Sequence, residues 1–321
     1  MEYAINTETE FARDVLEGLT ATNKHLSSKY FYDQRGDVLF QKIMKLPEYY
    51  LTQKEFSILD QYKDAILQPF LSSGQPFNLV EMGAGDGLKT KILLRYLQDS
   101  GCNYTYYPID ISGTVLEQLK CDLKQDFPSM CITPITGTYK RALEEQKWEE
   151  GRRNLFLFLG ANIGNFDREL AVNMLRRISE ALNAGDYLLI GFDLKKDPEV
   201  ILQAYNDPKG VTRDFNLNIL SRINKELGGD FDLAKFKHWP MYDPLTGECR
   251  SYLISMETQK VTISGLDKEV YFEKAEPIHT EVSKKYNNYE LGQLAEESGF
   301  VITRDFEDKE HFFTDSLWQK Q

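Results

Sequence analysis

The sequence predicts an α/β protein with a doubly wound, mostly parallel sheet and an inserted α+β domain. Short apolar segments alternate with helical patterns from residue 77 to residue 192, as in right-handed βαβ units. The segment Asp207–Gly210 breaks this alternation, which resumes only after residue 285. The 321 residues are enough for about two domains, with a core large enough to need no disulfides.

The individual elements follow from the spacing of the apolar residues. The predicted parallel strands are Phe77–Met82, Thr105–Asp110, Cys131–Ile135, Asn154–Leu159 and Tyr187–Phe192. The helical patterns between them include Thr90–Leu97, Val115–Leu123 and Leu170–Leu182. The inserted segment contains a helical stretch, Asn216–Leu227, and two predicted strands, Arg250–Thr258 and Glu269–Phe272. After the helix Tyr289–Glu297, the strands Phe300–Phe306 and His311–Leu317 predict an antiparallel hairpin.

Two capping boxes predict where the N-terminal helices begin. Thr7 and Glu10 predict the start of one helix, and Thr52 and Glu55 predict the start of another. We divide the chain into a sheet domain, residues 54–196 plus 286–321, and a second domain, residues 1–53 plus 197–285. The first 53 residues are placed with the second domain because they precede the first sheet strand.

The composition excludes several classes of function. Fifty acidic against 38 basic residues give a net charge of −12, which disfavours binding to a phosphate backbone. The acidic amino terminus lacks the apolar core of a signal peptide, and no apolar run could span a bilayer. Four cysteines without a Cys-x-x-Cys pair and four scattered histidines indicate reduced thiols and no metal site. We expect a cytoplasmic monomer without a nucleic-acid or membrane partner.

A glycine-rich loop follows the first predicted strand and precedes a helix. Gly83, Gly85 and Gly87 let the backbone approach a ligand at the carboxyl edge of the sheet. Leu88 stands where a dinucleotide motif requires glycine, and it also breaks the P-loop pattern. Asp110 ends the next strand, where a carboxylate can accept two hydrogen bonds from a ribose diol.

This combination fits an S-adenosylmethionine (SAM) site best, since Glu81-x-Gly-x-Gly-x-Gly is followed by an acid on the next strand. A closing antiparallel hairpin is a feature of the class I SAM-dependent methyltransferase sheet. The alternative is a tight strand-to-helix turn that binds no ligand. A sulfonium methyl group is already activated, so alignment of the acceptor carries much of the catalysis and no conspicuous catalytic histidine is needed.

The loop after the fourth predicted strand contains a candidate substrate residue. It has the sequence Leu159-Gly-Ala-Asn-Ile-Gly-Asn165-Phe166. The side-chain amide of Asn165 offers both a donor and an acceptor to a small polar substrate. The alternative interpretation is a turn or helix-capping asparagine.

The chain resembles the histidine-specific Nα-methyltransferases of ergothioneine biosynthesis over nearly its whole length. The similar stretches are Lys29-Tyr-Phe-Tyr-Asp33, Leu46-Pro-Glu-Tyr-Tyr-Leu-Thr52, Glu81-Met-Gly-Ala-Gly85, Ile163-Gly-Asn165, Ala204-Tyr-Asn-Asp-x-x-Gly-Val-Thr212 and His279-Thr-Glu-Val-Ser283. The Leu-Pro-Glu-Tyr-Tyr and Thr-Glu-Val-Ser elements are fairly specific to that family, whereas the glycine loop is not.

The resemblance implies a class I methyltransferase fold and roles for particular residues. We expect the sheet domain to be the SAM-binding methyltransferase domain and the second domain to bind the substrate. The family's SAM contacts correspond to Gly83, Gly85, Lys89, Asp110, Thr138 and Tyr139. Its amino-acid-binding positions correspond to Tyr32, Tyr49, Asn165 and Tyr205, of which Asn165 and Tyr32 serve catalysis. The two residues that recognise the imidazole ring in the family correspond to Glu281 and Ser283.

Two departures from the family pattern bear on affinity and specificity. Gly137-Thr138-Tyr139 stands where the family has Gly-Asp-Phe, whose acid meets the adenine amino group. The resemblance implies that Thr138 can accept this hydrogen bond more weakly and that Tyr139 can still cover the ring. The family also has an apolar methionine near the imidazole, and the corresponding position in this chain is Ser251-Tyr252.

These observations predict a SAM-dependent N-methyltransferase that acts on the α-amine of a small amino acid, L-histidine above others, giving the Nα-trimethyl betaine. One alternative is methylation of a different amino acid or an aromatic amine. Others are a non-catalytic SAM-binding protein and a nicotinamide oxidoreductase, the latter already disfavoured by Leu88.

Overall fold

The computed structural model describes residues 9–145 and 147–321, which divide into two compact units. The sheet unit comprises Leu51–Lys195 and Lys284–Gln321. The insertion unit comprises the described residues up to Tyr50 together with Lys196–Ser283. These boundaries differ by one to three residues from the division that we drew from the sequence, and the roles assigned to the two domains stay predictions.

The helices are amphipathic segments, several of which begin at a side chain that caps their free N–H groups. Ser112, Asp167 and Asn287 act in this way, and Asn287 forms a full capping box with Glu290. In the described ranges, no helix combines the length and the apolar character needed to cross a bilayer. The helices are α1 Glu10–Thr20, α2 Gln34–Ile43, α3 Tyr50–Leu71, α4 Thr90–Asp99, α5 Gly113–Asp126, α6 Tyr139–Glu145, α7 Arg168–Glu180, α8 Pro198–Tyr205, α9 Val211–Leu227 and α10 Asn288–Glu297.

The strands are of two kinds, which differ in how their side chains are buried. The central strands of the sheet unit are buried along nearly their whole length, as expected for a sheet with both faces covered. The strands of the insertion unit alternate between buried and accessible residues. The strands are β1 Phe77–Met82, β2 Tyr104–Asp110, β3 Cys131–Ile132, β4 Ile135–Thr136, β5 Arg153–Phe158, β6 Tyr187–Asp193, β7 Phe236–Asp243, β8 Glu248–Ser255, β9 Gln259–Ile263, β10 Lys268–Phe272, β11 Pro277–Lys284, β12 Phe300–Glu307 and β13 Phe313–Lys320.

The sheet unit has the strand order β12-β13-β6-β5-β1-β2-β3, with β4 also paired to β2. Strands β6, β5, β1, β2, β3 and β4 pair in parallel, whereas β13 runs antiparallel to both β6 and β12. The predicted doubly wound sheet and its closing antiparallel hairpin are therefore confirmed. Strands β1 and β5 are adjacent, so their carboxyl ends meet at one edge of the sheet.

The core of the sheet unit lies between the sheet and the helices packed on it. Strand β1 is buried along its whole length and contributes Val80, while Phe156 of β5 and Ile190 of β6 contribute from the other central strands. Leu175 of α7 and Leu294 of α10 pack into the same cluster. This burial explains why each predicted parallel strand is a short, nearly continuous apolar run.

Three local predictions differ from the structure. The predicted box residue Thr7 lies outside the described residues, and α1 is capped by Thr9, whose hydroxyl accepts from the Ala12 amide at 3.1 Å. The capping box at Thr52 is wrong, because α3 already begins at Tyr50 and Glu55 lies in its interior. The single strand predicted at Cys131–Ile135 is two short strands, β3 and β4.

The described part of the insertion unit combines a small sheet and a separate hairpin with four helices, α1, α2, α8 and α9. Strand β8 pairs with β7 in an antiparallel hairpin and lies beside β11, while β9 and β10 form a separate hairpin. Its core includes Val15 of α1, Ile43 of α2 and Ile219 of α9, together with Leu253 and Ile278 from the sheet. Strands β7, β9 and β11 were not predicted, because their alternating residues resemble polar loop sequence.

A buried ion pair joins the end of β6 to the segment that follows β11. The ammonium of Lys285 lies 2.8 Å from Oδ2 of Asp193, and both side chains are fully buried. The flanking backbone is tied as well, since the Tyr286 amide donates to the Asp193 carbonyl at 2.9 Å. The pair thus fixes the chain where it re-enters the sheet unit.

We predict that Lys285→Met destabilises the protein by about 3–5 kcal/mol, because it removes the cation from a buried carboxylate. Urea unfolding measures this loss. The double variant D193N/K285M carries no buried charge at this position and should be more stable than K285M alone. A K285M stability within about 1 kcal/mol of the unsubstituted protein would contradict the interpretation.

Candidate functional site

The glycine loop after β1 has the backbone conformation that its sequence predicts. Gly83, Gly85 and Gly87 have φ of +78°, +54° and +65°, in the region that favours glycine. A Cβ atom at Gly83 would lie 2.5 Å from the Tyr139 hydroxyl oxygen, so space also requires glycine there. At Gly85 a Cβ atom would meet no atom within 4 Å, which leaves the backbone accessible to a ligand.

Asp110 lies directly against this loop, at the carboxyl end of β2. Its Oδ2 accepts a hydrogen bond from the Gly85 amide at 3.1 Å, and its Oδ1 accepts from the Ser112 amide at 2.9 Å. The Gly83 amide donates to the carbonyl of Ile109 at 2.8 Å, which holds the loop to the end of β2. The structure therefore brings together the glycines and the acid that the sequence pairs as a nucleoside site.

Thr138 and Tyr139 stand at the start of α6, next to the same corner. The exposed Thr138 hydroxyl accepts from the Arg141 amide at 3.4 Å. The Tyr139 ring packs edge-on against Phe158, with ring centres 5.5 Å apart. Burial, and then the charge of Asp110, raise the pKa of Tyr139, so its hydroxyl remains a protonated donor beside the loop.

Glu81 is a buried carboxyl group just before the glycine loop. It accepts hydrogen bonds from the hydroxyls of Thr90 and Tyr106. Burial raises the pKa of Glu81 to about 7, because the effect of burial is larger than the opposing effect of these hydrogen bonds. Because the folded-state pKa exceeds the ordinary value of 4.5, the folded protein binds more protons than the unfolded chain between these two pH values.

The contribution of Glu81 to stability should therefore fall as pH rises from about 4.5 to 7. We predict that the stability of Glu81→Gln relative to the unsubstituted protein increases by about 1–3 kcal/mol between pH 5 and pH 8. Denaturant unfolding of both proteins at the two pH values measures this difference. A difference that does not vary with pH would show that Glu81 has an ordinary pKa.

Lys89 follows the glycine loop and is paired with Glu55 of α3. The Lys89 ammonium contacts Oε2 of Glu55, while Oε1 accepts from the Gly160 amide at 2.6 Å. Glu55 is fully buried, whereas the Lys89 side chain is 21% exposed. Sequence reasoning missed Glu55, since a glutamate at the fourth position of a capping box is expected at the surface.

Asn165 lies in the loop that follows β5. Gly160, with φ of +78°, and Ala161, with φ of +53°, turn the chain sharply into a short 3₁₀ segment, Asn162–Asn165. Asn165 ends this segment with an exposed side chain. The amide nitrogen of Asn162 would lie 3.0 Å from a Cβ atom at Gly83, so Asn162 is the asparagine nearer the glycine loop. No local sequence pattern indicates that Asn162 lies against the glycine loop.

In the insertion unit, Glu281 and Ser283 lie two residues apart on β11, and each accepts a hydrogen bond from a hydroxyl group. The Ser251 hydroxyl donates to Oε2 of Glu281 at 3.1 Å. The Tyr205 hydroxyl donates to the Ser283 Oγ at 2.7 Å. Tyr205 and Ser283 are both buried, so this bond is shielded from water.

The other two predicted tyrosines pack on one aromatic cluster in the same unit. The rings of Tyr32 and Tyr49 contact Phe40 with centre distances of 5.5 and 6.3 Å, and Tyr32 also contacts Phe215 at 5.6 Å. Helix α9 links this cluster to β11, because Asn216 follows Phe215 and accepts from the Thr280 hydroxyl at 2.8 Å.

Two groups of residues thus form, one in each unit. The sheet unit gathers Gly83, Gly85, Lys89, Asp110, Thr138 and Tyr139 around one sheet edge, with Asn165 in a loop at that edge. The insertion unit gathers Tyr32, Tyr49, Tyr205, Glu281 and Ser283 around α9 and β11. Among the described residues, no group of three or more histidine, cysteine or acidic side chains is arranged to hold a metal ion.

Comparison with known proteins identifies the family. The family described as "Histidine-specific methyltransferase, SAM-dependent" matches residues 11–320. The chain belongs to this family. It is 34% identical to the histidine N-alpha-methyltransferases of Mycobacterium tuberculosis and Mycolicibacterium smegmatis, covering 96% and 94% of this chain and 94% and 90% of theirs.

A longer relative matches as well. Ergothioneine biosynthesis protein 1 of Schizosaccharomyces pombe is 33% identical over 88% of this chain, which corresponds to 37% of that protein. As a member of the histidine-specific methyltransferase family, the chain is a SAM-dependent methyltransferase with the class I sheet described above. The resemblance seen in the sequence is confirmed, and the non-catalytic and oxidoreductase alternatives are not favoured.

The residues at the sheet edge fit SAM. The positive φ angles and the open space at Gly85 give a backbone cradle, and the Asp110 carboxylate beside it suits a ribose diol. The departure at Thr138 leaves a neutral hydroxyl where the family has a carboxylate, and this hydroxyl already accepts from Arg141.

Proposed function

We propose that this enzyme methylates the α-amine of L-histidine and, by successive transfers, forms the Nα-trimethyl betaine. The proposal depends above all on Glu281 and Ser283, a carboxylate and a hydroxyl placed two residues apart on β11. The names of the mycobacterial relatives support it, since both are histidine N-alpha-methyltransferases.

Imidazole recognition requires one hydrogen-bond acceptor and one group that can donate. Neutral imidazole has one N–H and one bare nitrogen, and the Glu281 carboxylate and the Ser283 hydroxyl match these two. The contacts already made by Ser251 and Tyr205 hold both groups in place. A substrate without a ring of this polarity would leave them unsatisfied, at a cost of about 1–3 kcal/mol each.

We assign the amino-acid portion of the substrate to Tyr32, Tyr49, Asn165 and Tyr205. Hydroxyls and an amide bind the α-carboxylate without adding a fixed positive charge beside a sulfonium. The Asn165 amide oxygen and the Tyr32 hydroxyl would accept hydrogen bonds from the α-amine, which leaves its lone pair free to point at the methyl group.

SAM supplies an electrophilic methyl group. The residues that would hold SAM are Gly83, Gly85, Lys89, Asp110, Thr138 and Tyr139. The amine must be neutral when it attacks, and each transfer forms one N–C bond as the C–S bond breaks towards sulfur. The methylated ammonium then releases a proton to water before the next transfer, so the residues around it need only orient the nitrogen.

We further propose that the enzyme works as a cytoplasmic monomer with no nucleic-acid or membrane partner. The net charge of −12 supports the absence of a nucleic-acid partner. The four free cysteines support a reducing compartment.

Incubation with SAM carrying a deuterated methyl group and with single amino acids tests the substrate. We predict label on the α-nitrogen of histidine, with mono-, di- and trimethyl products resolved by tandem mass spectrometry. Transfer to another amino acid but not to histidine, or label on the imidazole ring, would contradict the proposal.

Glu281→Ala should raise the KM for histidine by about tenfold or more, because a ring N–H then loses its acceptor in the pocket. Glu269→Ala is the matched control, since it removes an exposed carboxylate from β10 of the same unit. Steady-state kinetics of both variants at saturating SAM make the comparison. An unchanged KM in E281A would instead favour methylation of a different amine.

A further inference from the structure

The buried carboxylate of Glu55 lies next to the sheet edge that we assign to SAM. Glu55 enters from the interior of α3, and its two oxygens contact the Lys89 ammonium and the Gly160 amide. Lys89 closes the glycine loop, while Gly160 opens the loop that carries Asn165. One carboxylate therefore holds both loops that the proposed function assigns to SAM and substrate.

The surrounding strands are built to admit this carboxylate. A Cβ atom at Gly191 of β6 would lie 2.4 Å from Oε1 of Glu55, so any larger residue there would displace it. Asp315 of β13 is the register partner of Gly191 and is fully buried. Glu55 is thus enclosed by β6 and β13 on one side and by the two loops on the other.

The charges in this cluster balance only if Asp315 keeps its proton. Burial, and then repulsion by Glu55, raise the pKa of the Asp315 carboxyl well above its usual range. The raised pKa favours the neutral form of Asp315 beside the ion pair of Glu55 and Lys89. Among the described residues, Glu55 is the carboxylate that forms an ion pair with the Lys89 ammonium.

We propose that Glu55 is a positioning residue that neutralises Lys89, so that the site accepts a positively charged sulfonium. The inference rests on the proposed assignment of Lys89 to the SAM site. Without the carboxylate, an uncompensated ammonium would stand close to a second positive charge. At an effective dielectric constant of about 20, two such charges roughly 10 Å apart weaken binding by about tenfold.

A pair of ligands separates this charge effect from a loss of shape. SAM and S-adenosylhomocysteine share the nucleoside and the amino-acid tail, but only SAM carries the sulfonium charge. Loss of a merely structural residue would weaken the binding of both ligands by a similar factor. Loss of Glu55 as a neutralising group should weaken SAM binding more than S-adenosylhomocysteine binding.

Titration calorimetry of the full chain with each ligand, in the absence of amino acid, tests the proposal. Glu55→Gln keeps the shape and leaves an amide oxygen to accept from Gly160, so it removes little besides the charge. We expect it to lower the ratio of SAM to S-adenosylhomocysteine affinity by about tenfold. Lys89→Met should raise the same ratio, and the double variant E55Q/K89M should return it to near the original value.

Asp186→Asn is the matched control for loss of a buried carboxylate. Asp186 lies at the opposite end of β6, where it accepts from the Asn154 and Asn183 amides, each at 2.9 Å. This variant should lower the melting temperature without changing the affinity ratio. If E55Q fails to fold, two variants still test the compensation. Lys89→Met should raise the ratio, and Glu55→Asp, which retains the charge, should leave it near the original value.

An unchanged ratio in both E55Q and K89M, or an equal loss of affinity for both ligands in E55Q, would overturn the inference. A shift of the ratio in opposite directions in the two single variants would support it. Failure of the unsubstituted protein to bind either ligand would instead refute the proposed SAM site itself.

Discussion

The adjoining carboxyl ends of β1 and β5 constrain the rest of the site. Where two parallel strands end side by side, both chains must turn away at once in little space. Gly83 and Gly160 provide these turns with the same φ of +78°. The loops that follow these strands carry the residues that we assign to SAM and to the acceptor amine. The ends of the two strands therefore set the positions of these residues.

Much of the sheet unit could be predicted because its strands are buried on both faces. A strand such as β1 is a short run of mostly apolar residues, and its ends were predicted to the residue. Strands β7, β9 and β11 face water on one side, and their alternating composition was mistaken for loop sequence. The missed β11 carries Glu281 and Ser283, which entered the prediction only through the resemblance.

Glu55 shows what sequence patterns cannot provide. Glu55 lies five residues after the Leu-Pro-Glu-Tyr-Tyr segment and satisfies the pattern of a capping box with Thr52. Helix α3 nevertheless begins two residues before Thr52, and the Glu55 side chain is buried. Its partners, Lys89 and Gly160, are 34 and 105 residues away in sequence. Only tertiary packing brings these groups together, and no local pattern encodes it.

Buried acids near the sheet edge differ in charge because their neighbours differ. Burial outweighs the two hydroxyl hydrogen bonds to Glu81, so its pKa is raised to about 7. Glu55 contacts an ammonium, whereas burial and the nearby Glu55 raise the pKa of Asp315. In the proposed account, the Glu55–Lys89 pair leaves no uncompensated lysine charge beside the site while the positive charge passes from sulfur to the amine.

A crystal structure of the enzyme with S-adenosylhomocysteine and L-histidine bound tests the central claim most directly. We expect the nucleoside against Gly83, Gly85 and Asp110, the imidazole against Glu281 and Ser283, and the α-nitrogen directed at the sulfur. Histidine bound with its ring away from Glu281, or with its α-amine turned from the sulfur, would contradict the account.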